Sequence, residues 1–311
     1  FTFGPLDCNI TYKAFENEAV DIAGGVSVTG WELYDTEKNI YRAAIPGGIE
    51  TRHFFVNQRR ARRTRTGHRF FENAQYHPNS FSENKPSYII DDFTLLEWRN
   101  ADQIEFVYPY SFTMARCTVD KIERCDNKVH IYMKQPGWHY ITHKYGTSVK
   151  FPEYIENVFE LLRNAGEWYA DGQYIYYIPL ENENIKEAET FIPQLDRLIY
   201  IAGENEWNKA GNIRFEDISF QYTGWLRPNY ANGHCDSQNN YIREAGPIEL
   251  DCDHQGDAAI EIEYSDSIAF ENCKFAHMGT TAMRITKSSC NNLISGCEFY
   301  DISGGGITIG D

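Results

Sequence analysis

Phe270-Glu271-Asn272-Cys273-Lys274-Phe275 is answered, 24 residues later, by Ile294-Ser295-Gly296-Cys297-Glu298-Phe299, and upstream by Phe215-Glu216-Asp217-Ile218-Ser219-Phe220. Each copy reads apolar, two polar or small residues, Ile or Cys, one polar, then Phe. Between the copies runs a second element, Ala259-Ile260-Glu261-Ile262-Glu263, then Ala282-Met283-Arg284-Ile285-Thr286, then Gly306-Ile307-Thr308-Ile309-Gly310. Its alternation of apolar and polar residues is the period of a half-buried strand. A repeat near 24 residues, built of short strands and Gly, Ser, Asn and Asp turns, predicts a right-handed parallel β-helix. Each coil has an inner face it cannot bury alone, so coils must stack. The stack places Cys273 above Cys297 and Phe275 above Phe299, all inward, and makes both Cys packing residues. Ile260, Met283 and Ile307 form a second inward column.

Outside this region the pattern changes. Ile10, Tyr12 and Ala14 alternate, as do Val20 and Ile22, then Val26 and Val28 after Gly24-Gly25, which reads as earlier coils. From about 41 to 200 the period is lost. Strands are expected at Phe54-Phe55-Val56, 104–108, 129–133 and 174–178, and a helix at 154–164 from the spacing of its apolar residues. The fold class expected is all-β: a right-handed parallel β-helix carrying an inserted, mainly antiparallel β-sandwich-like domain. The expected division is coils at 1–40, insert at 41–205 and coils at 206–311. The opening Phe1-Thr2-Phe3 and the closing Ile309-Gly310-Asp311 lead us to expect an internal piece of a longer protein.

Composition narrows the function classes. The 311 residues include 29 Lys+Arg against 45 Asp+Glu, a formal net charge of −16. Such a chain repels phosphate backbones, so nucleic acid is excluded as a partner. No apolar run approaches the roughly 20 residues of a bilayer span, so no membrane partner is expected either. The basic run Arg59-Arg60-Ala61-Arg62-Arg63-Thr64-Arg65 is read as a strand whose arginines pair with acidic loops between domains. Eight Cys without a CxxC pair argue against structural zinc, and no metal site or cofactor is expected. Aromatic residues at 15% would suit a sugar groove as well as a core.

The outward column Glu261, Arg284, Thr308 and its neighbour Glu263, Thr286, Gly310 would form a flat wall able to hold a long polymer. Glycosidic hydrolysis needs two carboxyl groups, one to give a proton and one to attack or to activate water. Candidates are Glu261 and Glu263 on the wall, Asp301 before the Gly304-Gly305-Gly306 turn, and Asp311 after it; we take Asp301 and Asp311 as the catalytic pair. His277 holds the place in its coil that Asp301 holds in the next, within reach of that carboxylate. The long excursion 225–257 offers Trp225, Arg227 and Tyr230 as a sugar-pocket wall. With Glu261, Glu263, His277 and Arg284 they are the expected substrate-binding residues. Asp251-Cys252-Asp253-His254 leaves calcium open as an alternative ligand.

Four segments carry a family resemblance: 41–57 (YRAAIPGGIETRHFFVN) with the Arg run, 166–179 (GEWYADGQYIYYIP), Phe275-Ala276-His277-Met278-Gly279, and 299–307 (FYDISGGGI). In these the sequence resembles the β-helical glycoside hydrolases, most nearly glycoside hydrolase family 141. The resemblance implies a secreted or cell-surface carbohydrate-active enzyme, with a β-helix interrupted by a β-sandwich-like insert and two acidic catalysts. It implies α-L-fucosidase or xylanase activity on plant cell-wall polysaccharide, and a monomer acting on a polysaccharide or oligosaccharide. Two other readings remain open at this point. A polysaccharide lyase would use Lys287 as base and Arg284 to neutralise a uronate; a non-catalytic β-helix would bind glycan without turnover.

Overall fold

The computed structural model describes residues 1–16, 18–67, 69–78, 85–110, 113–143, 150–237, 241–245 and 251–310. Three parallel sheets form the coil stack. The first runs Thr2–Phe3, Ile199–Ala202, Ala258–Glu263, Thr281–Thr286, Ile307–Ile309. The second runs Ile10–Lys13, Ala210–Glu216, Ser265–Glu271, Leu293–Ser295. The third runs Val20–Ala23, Ile218–Gln221, Lys274–Met278, Glu298–Ile302. The register pairs Ile260 with Met283 and Met283 with Ile307, as the inward column requires. Inward aromatic rings form ladders. Phe220, Phe275 and Phe299 stack at 5.3 and 4.6 Å, and Tyr12, Phe215 and Phe270 at 5.2 and 4.9 Å.

The polar slot of the repeat has a backbone cause. Asp217, Asn272 and Gly296 hold the corner between the second and third sheets at φ of 58°, 53° and 66°. A left-handed corner admits Gly freely and Asn or Asp at small cost, because their short side chains bond locally. Asn272 Nδ2 donates to Asp217 Oδ1 of the neighbouring coil at 3.3 Å.

Two detours leave the stack from one other corner, after the third sheet. The first departs after Ala23 and returns at Ile199; the second departs after Gln221 and returns at Ala258. One coil further on, Gly279-Thr280 alone joins Met278 to Thr281. These pairings correct the expected domain division. Gly25–Ser27 pairs antiparallel with Thr190–Pro193, and Glu32–Asp35 with Ile40–Ala44, so the chain leaves the coils at residue 24 and not 40. It rejoins them at Ile199, ahead of the expected 206. Gly24 makes the exit possible: a Cβ there would lie 2.9 Å from Leu198 Cδ2 and 3.1 Å from the Tyr222 carbonyl.

Among the described residues, the first detour has a smaller core around Leu162, Tyr169 and Tyr176 and two large ones. One surrounds Trp31, Phe54, Trp168 and Tyr177 beside a 5-stranded sheet; the other fills an 8-stranded sheet with Tyr88, Phe106, Ile131 and Trp138. Its strands pair antiparallel, except that Arg62–Arg63 runs parallel to Glu167–Ala170. The expected helix at 154–164 is not formed. Tyr154–Glu156 is a strand between Arg65–Gly67 and Glu105–Tyr110, Asn157 turns the chain at φ 63°, and only Phe159–Leu161 coils, as a 3₁₀ turn. Burial of Ile155, Val158 and Leu161 produces the helical spacing without a helix. The second detour is stitched to the first: His234–Cys235 pairs with Thr113–Cys125. Among the described residues, no helix is long and apolar enough to cross a membrane.

The phenylalanine ladder sets a stability test. Phe275→Ala opens a void between two stacked rings and should cost about 3–5 kcal/mol in urea unfolding. Phe15→Ala, at an exposed ring, should stay within about 0.5 kcal/mol.

Candidate functional site

Glu105 is fully buried where the insert meets the second detour. Arg52 grips both its oxygens, with Nη2 donating to Oε1 at 2.8 Å; Arg116 Nη1 donates to Oε1 at 2.6 Å and Arg63 Nη1 to Oε2 at 3.3 Å. Burial pushes the Glu105 carboxyl up, but Arg52, Arg116 and Arg63 outweigh it and hold the group well below the usual carboxylate range. Arg116 also donates to Glu156 Oε2 at 2.8 Å, and Arg52 to Asn229 Oδ1 of the second detour at 2.6 Å.

Over this cluster lies a cleft of about 420 Å³ between insert and coils. Arg52, His53, Arg60–Arg63, Arg116 and Glu156 line one side; Trp225, His234, Asp257, Gly279–Thr281 and Gly304 line the other. A second cleft, of about 330 Å³, continues past Asp257 to Asp196, Arg197, Arg227, Tyr230 and Glu261. Asp257 lines both.

Asp196 and Asp257 hold the same place in consecutive coils. Ile199 pairs with Ile260, and the Leu198 N–H donates to the Ala259 carbonyl at 2.8 Å; three residues before Ile199 and Ile260 stand the two aspartates. Their backbones are therefore about one strand spacing apart, ~4.8 Å. Their surroundings differ. Asp257 accepts from Arg227 Nε and Nη2 at 2.9 Å each. Burial would raise its carboxyl, but Arg227 and then Arg284 hold it below its ordinary value. Asp196 accepts one backbone bond, from the Leu226 N–H at 3.2 Å. Burial first, and then the charge of Asp257, raise its carboxyl above the ordinary value.

The expected site residues divide between these places. Trp225 lies in the first cleft, its ring beneath the Arg52 and Arg116 guanidinium groups at 5.4 and 5.9 Å. Arg227, Tyr230 and Glu261 lie in the second. Glu261 and Glu263 face outward but are covered, which corrects their reading as open wall. Arg197 and Arg284 close on Glu261 at 2.6 and 3.1 Å, and Lys287 and the Tyr200 hydroxyl on Glu263 at 2.8 and 3.1 Å. Arg284 also donates to the Gly256 carbonyl at 2.9 Å.

His277 meets Asp301 through Nδ1 at 2.8 Å, as their stacked positions imply, and lies flat on Tyr222 at 5.1 Å. Asp301 lines neither cleft; Oδ2 is held by His277 and Oδ1 by Arg60 Nε at 3.0 Å. Burial raises its carboxyl, but the His277 hydrogen bond and the Arg60 charge outweigh it and lower the group. Asp311 lies outside the described residues, as do the side chains of 251–253 behind the calcium alternative. Four arginines of the run pair with carboxylates, Arg59 with Glu183, Arg60 with Asp301, Arg62 with Glu167 and Arg63 with Glu105, and Arg65 lies over the Tyr154 ring at 4.9 Å.

Residue reading missed Glu105, Arg52, Arg116, His53 and the Asp196/Asp257 pair. Only the last had a sequence signal: Asp196-Arg197-Leu198-Ile199 aligns with Asp257-Ala258-Ala259-Ile260 when the strands are superposed.

The coils match a family model described as "Right handed beta helix region" over residues 208–311. No curated protein matches the sequence. Over its whole length the chain superposes on a solved structure named "Glycoside hydrolase", with a TM-score of 0.79 and 24% identity. The fold is a right-handed β-helix. The superposition covers 100% of this chain and 57% of the other, so this chain spans just over half of that protein. A second structure, "The complex structure of XylC with xylose", gives a TM-score of 0.36 at 13% identity over 90% of this chain and 33% of that one, and carries no argument.

The Glu105 cluster gives the test for this junction. Glu105→Gln leaves buried guanidinium charge uncompensated and should lower stability by about 3–5 kcal/mol at neutral pH. The folded pKa of Glu105 lies below its unfolded value. Its stabilisation is thus complete above about pH 4.3 and is lost as pH falls through the folded value. Urea midpoints measured across acid pH should fall less steeply for Glu105→Gln than for the parent.

Proposed function

We propose that this chain forms the catalytic part of a secreted, monomeric glycoside hydrolase, akin to family 141, which cuts a glycosidic bond in plant cell-wall polysaccharide of the fucosidase or xylanase substrate range. The observation that supports it is the Asp196/Asp257 pair, one carboxyl raised and one lowered, on a continuous cleft. Two carboxyl groups pushed apart in this way divide acid and base roles. Asp196, the raised group, keeps its proton longer and protonates the leaving oxygen. Asp257, ionised and clamped by Arg227, attacks the anomeric carbon or activates water. Trp225 and the exposed Tyr230 supply ring faces that position the sugar.

The pair expected from the residues alone, Asp301 with Asp311, enters the same test. In the full-length protein, Asp196→Asn and Asp257→Asn should each reduce turnover by about a hundredfold or more, and Asp301→Asn by less than about tenfold. Loss confined to Asp301→Asn and Asp311→Asn would move the chemistry to that pair. Since Asp196 must be protonated to act, activity should fall as pH rises through its raised pKa, and the alkaline limb of kcat/KM should vanish in Asp196→Asn. Proton NMR of the first product separates the two outcomes: retained anomeric configuration assigns Asp257 as nucleophile, inverted configuration assigns it as the base that activates water. An ultraviolet-absorbing unsaturated product would instead establish the lyase, although its Lys287 and Arg284 are already engaged by Glu261 and Glu263.

A further inference from the structure

The Arg-lined half of the cleft contains more than Asp196/Asp257 chemistry uses. Three guanidinium groups, Arg52, Arg63 and Arg116, share the two carboxylates Glu105 and Glu156. Arg62 and Arg60, on the same side, pair with Glu167 and Asp301. Asp236 adds a third carboxylate on this side, and its Oδ1 accepts from the Met114 N–H at 2.8 Å. Arg63 is the least engaged of the three, touching Glu105 through one nitrogen at 3.3 Å, and its Nε, like those of Arg52 and Arg116, is buried without a hydrogen-bond partner. Burial, and next the charge of Arg52, push the Arg63 guanidinium down to about 10. A cation held out of water and only partly paired is destabilising until an anion reaches it.

His53 adds a neutral donor. Burial, and after it Arg60, Arg52, Arg63 and Arg116, push its imidazole well below the ordinary value, so the ring is neutral. Its Nδ1 lies 2.8 Å from Arg60 Nη1 and must accept there, which puts the ring proton on Nε2. That Nε2–H is buried and has no partner, and it faces Gly279 on the opposite wall: a Cβ at Gly279 would stand 3.0 Å from it. Trp225, beneath Arg52 and Arg116, supplies a flat face beside these donors.

We propose that this half of the cleft is a subsite for an anionic sugar, whose carboxylate or sulfate ester is received by Arg63 and the His53 Nε2–H while its ring lies on Trp225. Asp257 lines both halves, so the anionic unit neighbours the bond to be cut. The inference rests on the hydrolase reading for the identity of the ligand as a glycan, and names the class of glycan.

The test is calorimetric titration of the full-length protein with trigalacturonate, its methyl ester, a sulfated trisaccharide and xylotriose. Trigalacturonate or the sulfated sugar should bind about tenfold or more tighter than the ester, the size of one charge-assisted bond. Rising salt should erase the difference. Whichever anion binds tighter identifies the source. Arg63→Gln should bring acid and ester within about twofold of each other. Should that variant fail to fold, free galacturonate and inorganic sulfate competing against trigalacturonate on the unaltered protein give the same readout. Equal affinity for acid and ester, or no competition by either free anion, would overturn the anionic subsite. The two readings fail separately: cleavage of a neutral glycan with no preference for anions refutes only the subsite, and anion-selective binding without cleavage of any glycan refutes only the hydrolase.

Discussion

A coil of a parallel β-helix has no inner face of its own to bury, and this constraint organises the molecule. Val20–Ala23 is stable only against Ile218–Gln221, although the whole insert separates them in sequence. The insert must therefore leave and return within one strand spacing. The second detour obeys the same rule one coil later, from the same corner. Two bulky excursions leaving adjacent coils at one corner must lean over it from either side, and the His234–Cys235 strand joins them into a single wall. The cleft lies at that corner because nothing there is left but the short turns Gly279-Thr280 and Ser303-Gly304.

The wall is closed by charge as well as by strands. Glu105 draws Arg52, Arg63 and Arg116 out of water together, and Arg52 carries the link on to Asn229. Arg60 crosses to the coils through Asp301 and the Met278 carbonyl. A chain of net charge −16 thus concentrates guanidinium groups on the inner side of its cleft. Such a distribution favours a partner selected in the cleft over one attracted to the surface at large.

The coil stack was legible because its signals are local. Phe275 over Phe299, Met283 between Ile260 and Ile307, and the left-handed slot at Asn272 and Gly296 recur at close to the coil period, and Asp217 repeats the slot across the second detour. Alternation is silent about which sheet a strand joins, so Val26 and Val28 continue the pattern of Val20 and Ile22 while pairing elsewhere. Residues 154–164 misled for a related reason, since Ile155, Val158 and Leu161 point into one core from a strand and a turn. The contact of His277 with Asp301 followed from coil spacing alone. Asp196 and Asp257 did not, because the second detour hides their equivalence from any 24-residue period. Glu105 and its arginines come from three strands and a loop, and no spacing in the sequence unites them.

Repetition along a coil stack is a form of translational symmetry, and Asp196 and Asp257 are its products: one side chain, at one corner, copied by one step. A perfect copy would give two carboxyl groups with the same proton affinity. The second detour breaks the symmetry, because Leu226 presents a backbone N–H to one member and Arg227 a guanidinium to the other. Two adjacent residues of a single loop thereby turn a duplicated group into an unlike pair. A fold that repeats itself can thus obtain two different proton affinities without a second kind of residue, provided one irregular segment reaches its copies unequally.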